Sequence, residues 1–443
     1  MIKTQIVDSE KESPFNYVLK HLIVSGERIV NEIDLHAVSI EIQIFENLNN
    51  PYLTGEVSIL DNENLSNKIG FVGTEKLLIE IETEMGTVRK NFIITEVLST
   101  LSTNGKDKVF VLSILEDISF LSKLTRISKS YTGTPDNIIK TILKEHLNRD
   151  MLNISSGHHG EIMKVIVPNL TPLSACSWIQ RRAVTSNGMP FYLFSSLVDD
   201  NIRYIDLETI LTSNALNSKL TPYIYNQGIS NNMLDANGQS FIITDVNQSN
   251  SYNTMMLCQL GLMSSTYTHI DTVKGIKLEK KHNMSEFFED LKTKVLKSGQ
   301  KEAIIDTTNT FNNKTIQEYD TRQISRITPT SSYGDNYKTY GEASDISKHM
   351  LRAKAAALIG ILNTAPIDIS VPGRNFYQEK TNVSIGNTIN LEFFNFLDNG
   401  DEEKDQKRSG SYMIHATRHI FSGPKYSAVV GCSRLSQKTP ERG

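Results

Sequence analysis

Residues with chemical potential are present but poorly arranged for chemistry. His158 and His159 lie side by side in a glycine-rich stretch, with Glu161 two positions on. Adjacent residues do not share a helical face and no HExxH spacing occurs, so the pair reads as a surface turn and not a zinc site. His415, His419 and Cys432 make a conceivable metal trio. Positions 415 and 419 fall in an expected strand and the turn beyond it, where four-residue spacing does not converge as it would on a helix. Packing, or a hydrogen bond at a subunit boundary, is the preferred account of these histidines.

The acidic pairs Asp199-Asp200 and Glu402-Glu403 are adjacent in sequence. Adjacency supplies neither the separation nor the contrast in environment that a general acid and base require, and both pairs read as solvated. No GxGxxG follows a strand, and there is no Walker A sequence and no GxSxG elbow. Nucleotide-dependent and α/β-hydrolase readings lose their support. Arg181-Arg182 reads as a solvated pair and Trp178, the single tryptophan, as a core residue. The expectation is no catalytic residue, no cofactor and no bound metal.

Composition narrows the class. Forty-six Lys and Arg against fifty Asp and Glu give a net charge of -4, with 39% hydrophobic and 22% charged residues. That is a water-soluble globular composition without the broad attraction of a duplex-binding protein. Cys176, Cys258 and Cys432 are far apart and read as buried thiols of a reducing compartment. Asp8 and Glu10 precede any hydrophobic run, which argues against a signal peptide, and no stretch reaches the roughly 20 apolar residues of a membrane span.

The elements follow from periodicity. Val38, Ile40, Ile42 and Ile44 alternate with polar residues, and Leu77 to Ile81, Arg89 to Val97 and Val109 to Leu115 are joined by glycine-bearing turns. This predicts antiparallel hairpins, and residues 1-118 read as a first β-domain, a small barrel or strongly curved sheet. A middle α+β domain, 119-227, follows. Thr134-Pro135 opens a helix with Ile138, Ile139, Ile142, Leu143 and Leu147 on one face, Thr171-Pro172 opens a second, and Phe191 to Phe194 reads as a strand.

Residues 228-270 are expected to begin a second β-domain, with strands at Phe241 to Val246 and Met255 to Leu262. An insertion, 271-362, carries helices at Glu286 to Leu296 and Ile346 to Leu362 and a long polar loop near 298-342. Residues 363-438 complete the second β-domain, and 439-443 form a flexible tail. The charged run 401-408 reads as a mobile hairpin loop, with docking to a neighbouring subunit as its other role.

One internal echo organises the whole. Val72-Gly73, Leu77 to Ile81, Phe92 to Val97 and Val109 to Leu115 correspond in order and character to Ile385-Gly386, Ile389 to Phe394, Tyr412 to Ala416 and Ser427 to Gly431. The expected fold class is therefore multidomain and β-rich with α+β: two similar antiparallel β-barrel-like tube domains plus a middle α+β domain.

This order of elements resembles the baseplate hub protein of contractile-tailed bacteriophages and the hubs of other contractile injection systems. The residues that carry the resemblance are Leu115-Glu116-Asp117, Pro168-Asn169-Leu170-Thr171-Pro172, Trp178-Ile179-Gln180-Arg181-Arg182-Ala183 and Phe191-Tyr192-Leu193-Phe194. Val371-Pro372-Gly373, Ile385-Gly386, Ser409 to Ile414 and Arg418-His419-Ile420-Phe421 continue it.

The resemblance implies a structural homotrimer that adapts a threefold central spike to a sixfold tail tube. Its implied partners are the spike, the tube or tube-initiator protein and baseplate wedge proteins, with DNA passing through the channel. The implied location is the tail baseplate of a virion, assembled in the host cytoplasm. Which of Glu80, Glu82 and Glu392 would face the channel stays open. A cell-wall-processing enzyme or injection effector is the alternative, which a buried pair of carboxylates in separated environments, or activity of the isolated protein, would favour.

Overall fold

The computed structural model describes residues 16–61, 69–103, 107–217, 219, 221–225, 241–248, 254–272, 275–296, 302–305, 310–327, 346–396 and 402–437. The tail 439-443 and residues 328–345 lie outside the described residues.

The first part of the chain carries six long strands, β1 (Val18–Ser25), β2 (Ser39–Asn47), β3 (Thr54–Asp61), β4 (Lys76–Thr83), β5 (Gly86–Thr103) and β6 (Asp107–Glu116), with a two-residue strand, Ile33–Asp34, against β1. They pair antiparallel in the order β2-β3-β6-β5-β4-β1. Alternation places Leu22, Ile42, Val57, Leu77, Phe92 and Phe110 in one apolar core. The β2 pattern is broken once. Register shifts between Ser39 and Glu41, so Ile40, expected in line with Ile42 and Ile44, is 42% exposed.

The middle segment contains α1 (Asp117–Lys123), α2 (Pro135–Leu147), β7 (Met151–Asn153), α3 (Pro172–Gln180), β8 (Phe191–Ser195), β9 (Ile202–Asp206) and α4 (Leu207–Thr212). The proline-opened helices begin where the sequence places them. Thr171 accepts the Ser174 N–H at the start of α3, and all five predicted apolar residues of α2 are buried. They pack on Cys176, Ile179, Phe191 and Tyr204 in a second core. The Gln180 side chain donates to the Phe191 carbonyl and fastens α3 to β8. Trp178 is only half-buried at the margin of this core, with the Arg182 guanidinium stacked 3.7 Å from its ring centroid. Arg182 is thus held on Trp178 and is not simply solvated.

The chain then forms β10 (Asp245–Gln248), α5 (Thr254–Gln259), α6 (Met284–Lys294), α7 (Ile346–Leu362), β11 (Ile367–Pro372), β12 (Thr388–Phe396), β13 (Gly410–Ser422) and β14 (Lys425–Ser433). Between α5 and α7, Ser264–Asp271 pairs with Ile276–Asn283 and, in parallel, with Gln323–Ile327. Two expectations change here. Met255 to Leu262, expected as a strand, begins as helix α5, which buries Leu257 and leaves Met255 and Met256 exposed. The polar passage near 298-342 contributes a sheet strand, Gln323–Ile327, because pairing with Ser264–Asp271 compensates for its weak periodicity.

The strand order β10-β11-β14-β13-β12 repeats β2-β3-β6-β5-β4. The register repeats as well. Leu77 pairs with Phe92 as Ile389 pairs with Tyr412, and Ile94 pairs with Ile114 as Ile414 pairs with Cys432. The sheets are multidomain and β-rich with α+β regions, but among the described residues no sheet closes into a barrel. Both copies belong to one 14-stranded sheet, joined where β13 pairs with β2.

Candidate functional site

The joint between the copies is the most constrained polar feature of the chain. Strand β13 changes partners along its length. Gly410 to Met413 pair with β12, and Ala416 to Ser422 pair with β2, from Ala416↔Asn47 to Ser422↔Glu41. Ile414 and His415 lie between these stretches, and His415 is a bulge against β14. Its backbone carbonyl accepts the Leu48 N–H at 2.9 Å, and its Nδ1 meets Ser433 Oγ at 3.0 Å.

Across this joint run three fully buried polar side chains. Burial drives the Tyr426 phenol well above its ordinary pKa, so it keeps its proton, and its hydroxyl meets His419 Nδ1 at 2.8 Å. His419 Nε2 then faces Glu46 Oε2 at 3.2 Å. Burial opposes the Glu46 charge, but hydrogen bonds from His419 and Ser384, the His419 charge and the Leu197 N–H outweigh it and hold the carboxyl below its ordinary pKa. The network spans 373 residues of sequence and links β14, β13, β2 and the middle segment. Ser384 Oγ and Thr417 Oγ1, 2.7 Å apart, continue it.

This arrangement has the residue types of a relay but not the access. Glu46, His419 and Tyr426 are 2%, 0% and 0% exposed, so no substrate reaches them. Its physical role is to fix register and orientation at the joint, since a satisfied buried network tolerates one alignment. The apolar side agrees: Phe421 and Tyr426 of the second copy pack in the core of the first, stacked at 4.4 Å. His419 therefore makes a boundary hydrogen bond, between copies of one chain. His415, His419 and Cys432 are separately engaged, the thiol directed to the Val430 carbonyl.

A second polar junction fastens the first copy to the middle segment. Lys90, 3% exposed, donates to the Asp199 carbonyl and to Asp200 Oδ1 at 2.9 Å. Arg149 reaches Asp200 Oδ2 at 3.5 Å and Asp117 Oδ1 at 2.6 Å. Burial disfavours the Asp200 charge, yet Lys90 and Arg149 prevail and lower its pKa. Asp199 pairs with buried Arg203 at 2.7 Å. Asp200 is exposed, as expected, but the Asp199-Asp200 pair is also an anchor: Lys90 of β5 and Arg149 beyond α2 reach Asp200, and Arg203 of β9 reaches Asp199.

Nearby Glu116 accepts the Leu53 N–H at 2.9 Å, and burial raises its pKa despite Lys90. Glu46 and Glu116 are therefore two buried carboxylates with opposite shifts. Each is bound to a backbone N–H inside a sheet junction instead of facing a cleft. The charged run is also local structure: Glu402–Lys404 pairs with β12, Lys404 bonds Glu392, and Asp405 Oδ1 accepts the N–H groups of Lys407 and Arg408. Glu80 is engaged by Arg89 and Glu82 by Lys20.

The histidine pair is separated by its partners. His158 Nδ1 lies 3.2 Å from Asp206 Oδ2, and His159 Nδ1 lies 2.7 Å from Asp136 Oδ2. Glu161 is not part of the His158 group; Glu208 is. Sequence reading missed Asp206 and Glu208 because they arrive from the far end of β9. Among the described residues, no helix is long and apolar enough to cross a membrane.

No protein-family model matches the chain, and no curated protein matches it in sequence. Solved structures do. A tail protein from Neisseria meningitidis MC58 aligns over 95% of this chain and 97% of its own, with a TM-score of 0.54 at 11% identity. The 43 kDa tail protein of prophage MuSo2 from Shewanella oneidensis aligns over 94% and 98%, with a TM-score of 0.51 at 10% identity. Nearly full coverage of both partners means that the order of sheets, middle segment and insertion is shared, and not a single sheet alone. This chain has the fold of these tail proteins, which is the level at which the resemblance drawn from the sequence is met.

Proposed function

We propose that this chain is a structural hub subunit of a contractile phage tail baseplate, acting as a homotrimer that adapts a threefold spike to a sixfold tube. One observation carries the reading: the strand edge that joins the two copies within the chain has an unused equivalent. In β5, residues Glu96 to Thr103 correspond to Ala416 to Ser422 of β13, and among the described residues no strand pairs with their outer edge. Strand β10 corresponds to β2 and ends the sheet with its outer edge unpaired among the described residues.

An open edge that matches an open edge elsewhere on the same molecule is a head-to-tail contact, and such contacts generate rings when the rotation closes. Carrying over the β13·β2 register sets Thr100, Leu101, Ser102 and Thr103 opposite Gln248, Asn247, Val246 and Asp245 of the partner subunit. Three chains with two copies each present six similar sheet segments, which suits a sixfold tube on one side and a threefold spike on the other. The two copies then act as tube-like domains, the 14-stranded sheet becoming an arc of a wall that closes only in the assembly.

In this reading the partners are a central spike, tube or tube-initiator protein and wedge proteins, in a virion tail assembled in the host cytoplasm. DNA passes through without specific contacts, which fits a chain with a net charge of -4. The role is structural and not enzymatic; the tail-protein fold and the inaccessibility of the Tyr426–His419–Glu46 network support it. Light scattering during size-exclusion chromatography, followed by two-dimensional image averages, tests the proposal. A trimer with six lobes is expected. A monomer that stays monomeric when coexpressed with its spike would overturn it.

A further inference from the structure

The turn that carries His158 is built tightly against β9 and α4. Gly157 and Gly160 take positive φ values of 78° and 77°. Ser155 Oγ accepts the Asp206 N–H and the Ser156 N–H donates to Thr209 Oγ1, both at 3.0 Å. These bonds bring donor atoms of His158, Asp206 and Glu208 within 4.8 Å of one another.

Two features show that the group is not closed by its own hydrogen bonds. His158 Nδ1 is shielded from solvent and lies 3.2 Å from Asp206 Oδ2, yet its geometry forms no hydrogen bond. The Tyr204 hydroxyl, on a fully buried residue two positions before Asp206 and so on the same face of β9, also has no partner. Buried polar atoms are rarely left unpaired, and here His158 Nδ1 stands beside a carboxylate that is itself 0% exposed, with Tyr204 on the same face of its strand.

We propose that His158 Nδ1, Asp206 and Glu208 bind one zinc-class divalent cation, with water as the fourth ligand. One imidazole nitrogen with two carboxylate oxygens suits Zn²⁺, whereas Ca²⁺ and Mg²⁺ favour oxygen alone. Zinc bonds of about 2.0–2.2 Å place tetrahedral ligands about 3.4 Å apart, close to the His158–Asp206 spacing. The outer partners are in place. Asn187 Nδ2 donates to Glu208 Oε2 at 3.1 Å, and Thr209 donates to Asp206 through its N–H at 3.0 Å and its hydroxyl at 2.6 Å. A bound cation ties the 154–160 turn to α4 and stiffens that side of the middle segment.

Full-length protein stripped with EDTA and dialysed, then titrated with ZnCl₂ by calorimetry, tests the site. The expected result is one Zn²⁺ per chain, a rise in melting temperature with Zn²⁺ but not Ca²⁺, and a visible absorption band of four-coordinate Co²⁺ on substitution. His158→Gln and Glu208→Gln should each abolish the melting shift while retaining the circular dichroism of the parent. Asn187→Ala should weaken binding about 10- to 100-fold. Absence of saturable Zn²⁺ binding, or binding that survives both His158→Gln and Glu208→Gln, would overturn the assignment; Glu208→Gln alone decides it if the histidine variant does not fold.

Discussion

Thr95 and His415 occupy the same bulge in two copies of one sheet. Register shifts between Ile94 and Glu96 against β6, and between Ile414 and Ala416 against β14. A glycine with positive φ stands near each: Gly73 at 89° and Gly386 at 78°. The bulge is where each long strand leaves its first outer partner. After His415, β13 takes up β2; after Thr95, no strand among the described residues pairs with the outer edge of β5.

That equivalence fixes a cross-linking experiment. In a Cys258→Ser background, Leu101→Cys with Asn247→Cys, or its register neighbour Ser102→Cys with Val246→Cys, should form a disulfide between subunits on non-reducing gels. Cysteine pairs two residues out of register should not, because disulfides need Cβ atoms about 3.5–4.5 Å apart. A trimer without this cross-link would retain the hub and reject the joint; a chain that stays monomeric when coexpressed with its spike would reject both.

The buried relay predicts a graded loss of stability. His419→Ala leaves the buried Glu46 carboxylate without its imidazole partner and should cost about 3–5 kcal/mol. Tyr426→Phe removes the hydroxyl that meets His419 Nδ1 and leaves that nitrogen unpaired, for about 1–3 kcal/mol. Urea denaturation followed by circular dichroism measures both; equal, small effects would show that the network does not constrain the joint.

The two buried glutamates should give opposite pH behaviour. The Glu46 pKa is lowered on folding, so its contribution is present above the unfolded pKa and is lost as pH falls through the lower folded value. The Glu116 pKa is raised, so its contribution is greatest below the unfolded pKa and falls as pH rises through the higher folded value. Glu116→Gln should therefore be neutral or stabilising at pH 7, with the gain fading in acid. Denaturation midpoints between pH 3 and 8 check the sign.

Gly386 has no room for a methyl group. An added Cβ would lie 2.9 Å from Phe194 Cζ, at a backbone conformation that L-residues avoid. Gly386→Ala should cost about 1–3 kcal/mol, and Gly423→Ala, also at positive φ but with open space around it, should cost less. Comparable losses would place the penalty in backbone strain and not in contact with the middle segment.

Local physics explains what the sequence by itself determined. Alternation, paired glycine turns and proline-opened helices depend on neighbours within a few residues, and they specified α2, α3, α7 and the strands β4, β5, β6, β12, β13 and β14 of the two copies. They also specified the echo in register, because Leu77 and Ile389, or Phe92 and Tyr412, answer to the same local pattern. Only the tertiary structure decided what those strands meet. The β13·β2 pairing, the His419–Glu46 contact and the approach of His158 to Asp206 and Glu208 join residues from tens to hundreds of positions apart, and no periodicity encodes them. Barrel closure belongs to the same class. A repeat of strands specifies segments with matching edges, and whether an edge closes within the chain, on its second copy, or on another subunit depends on the geometry of the whole sheet.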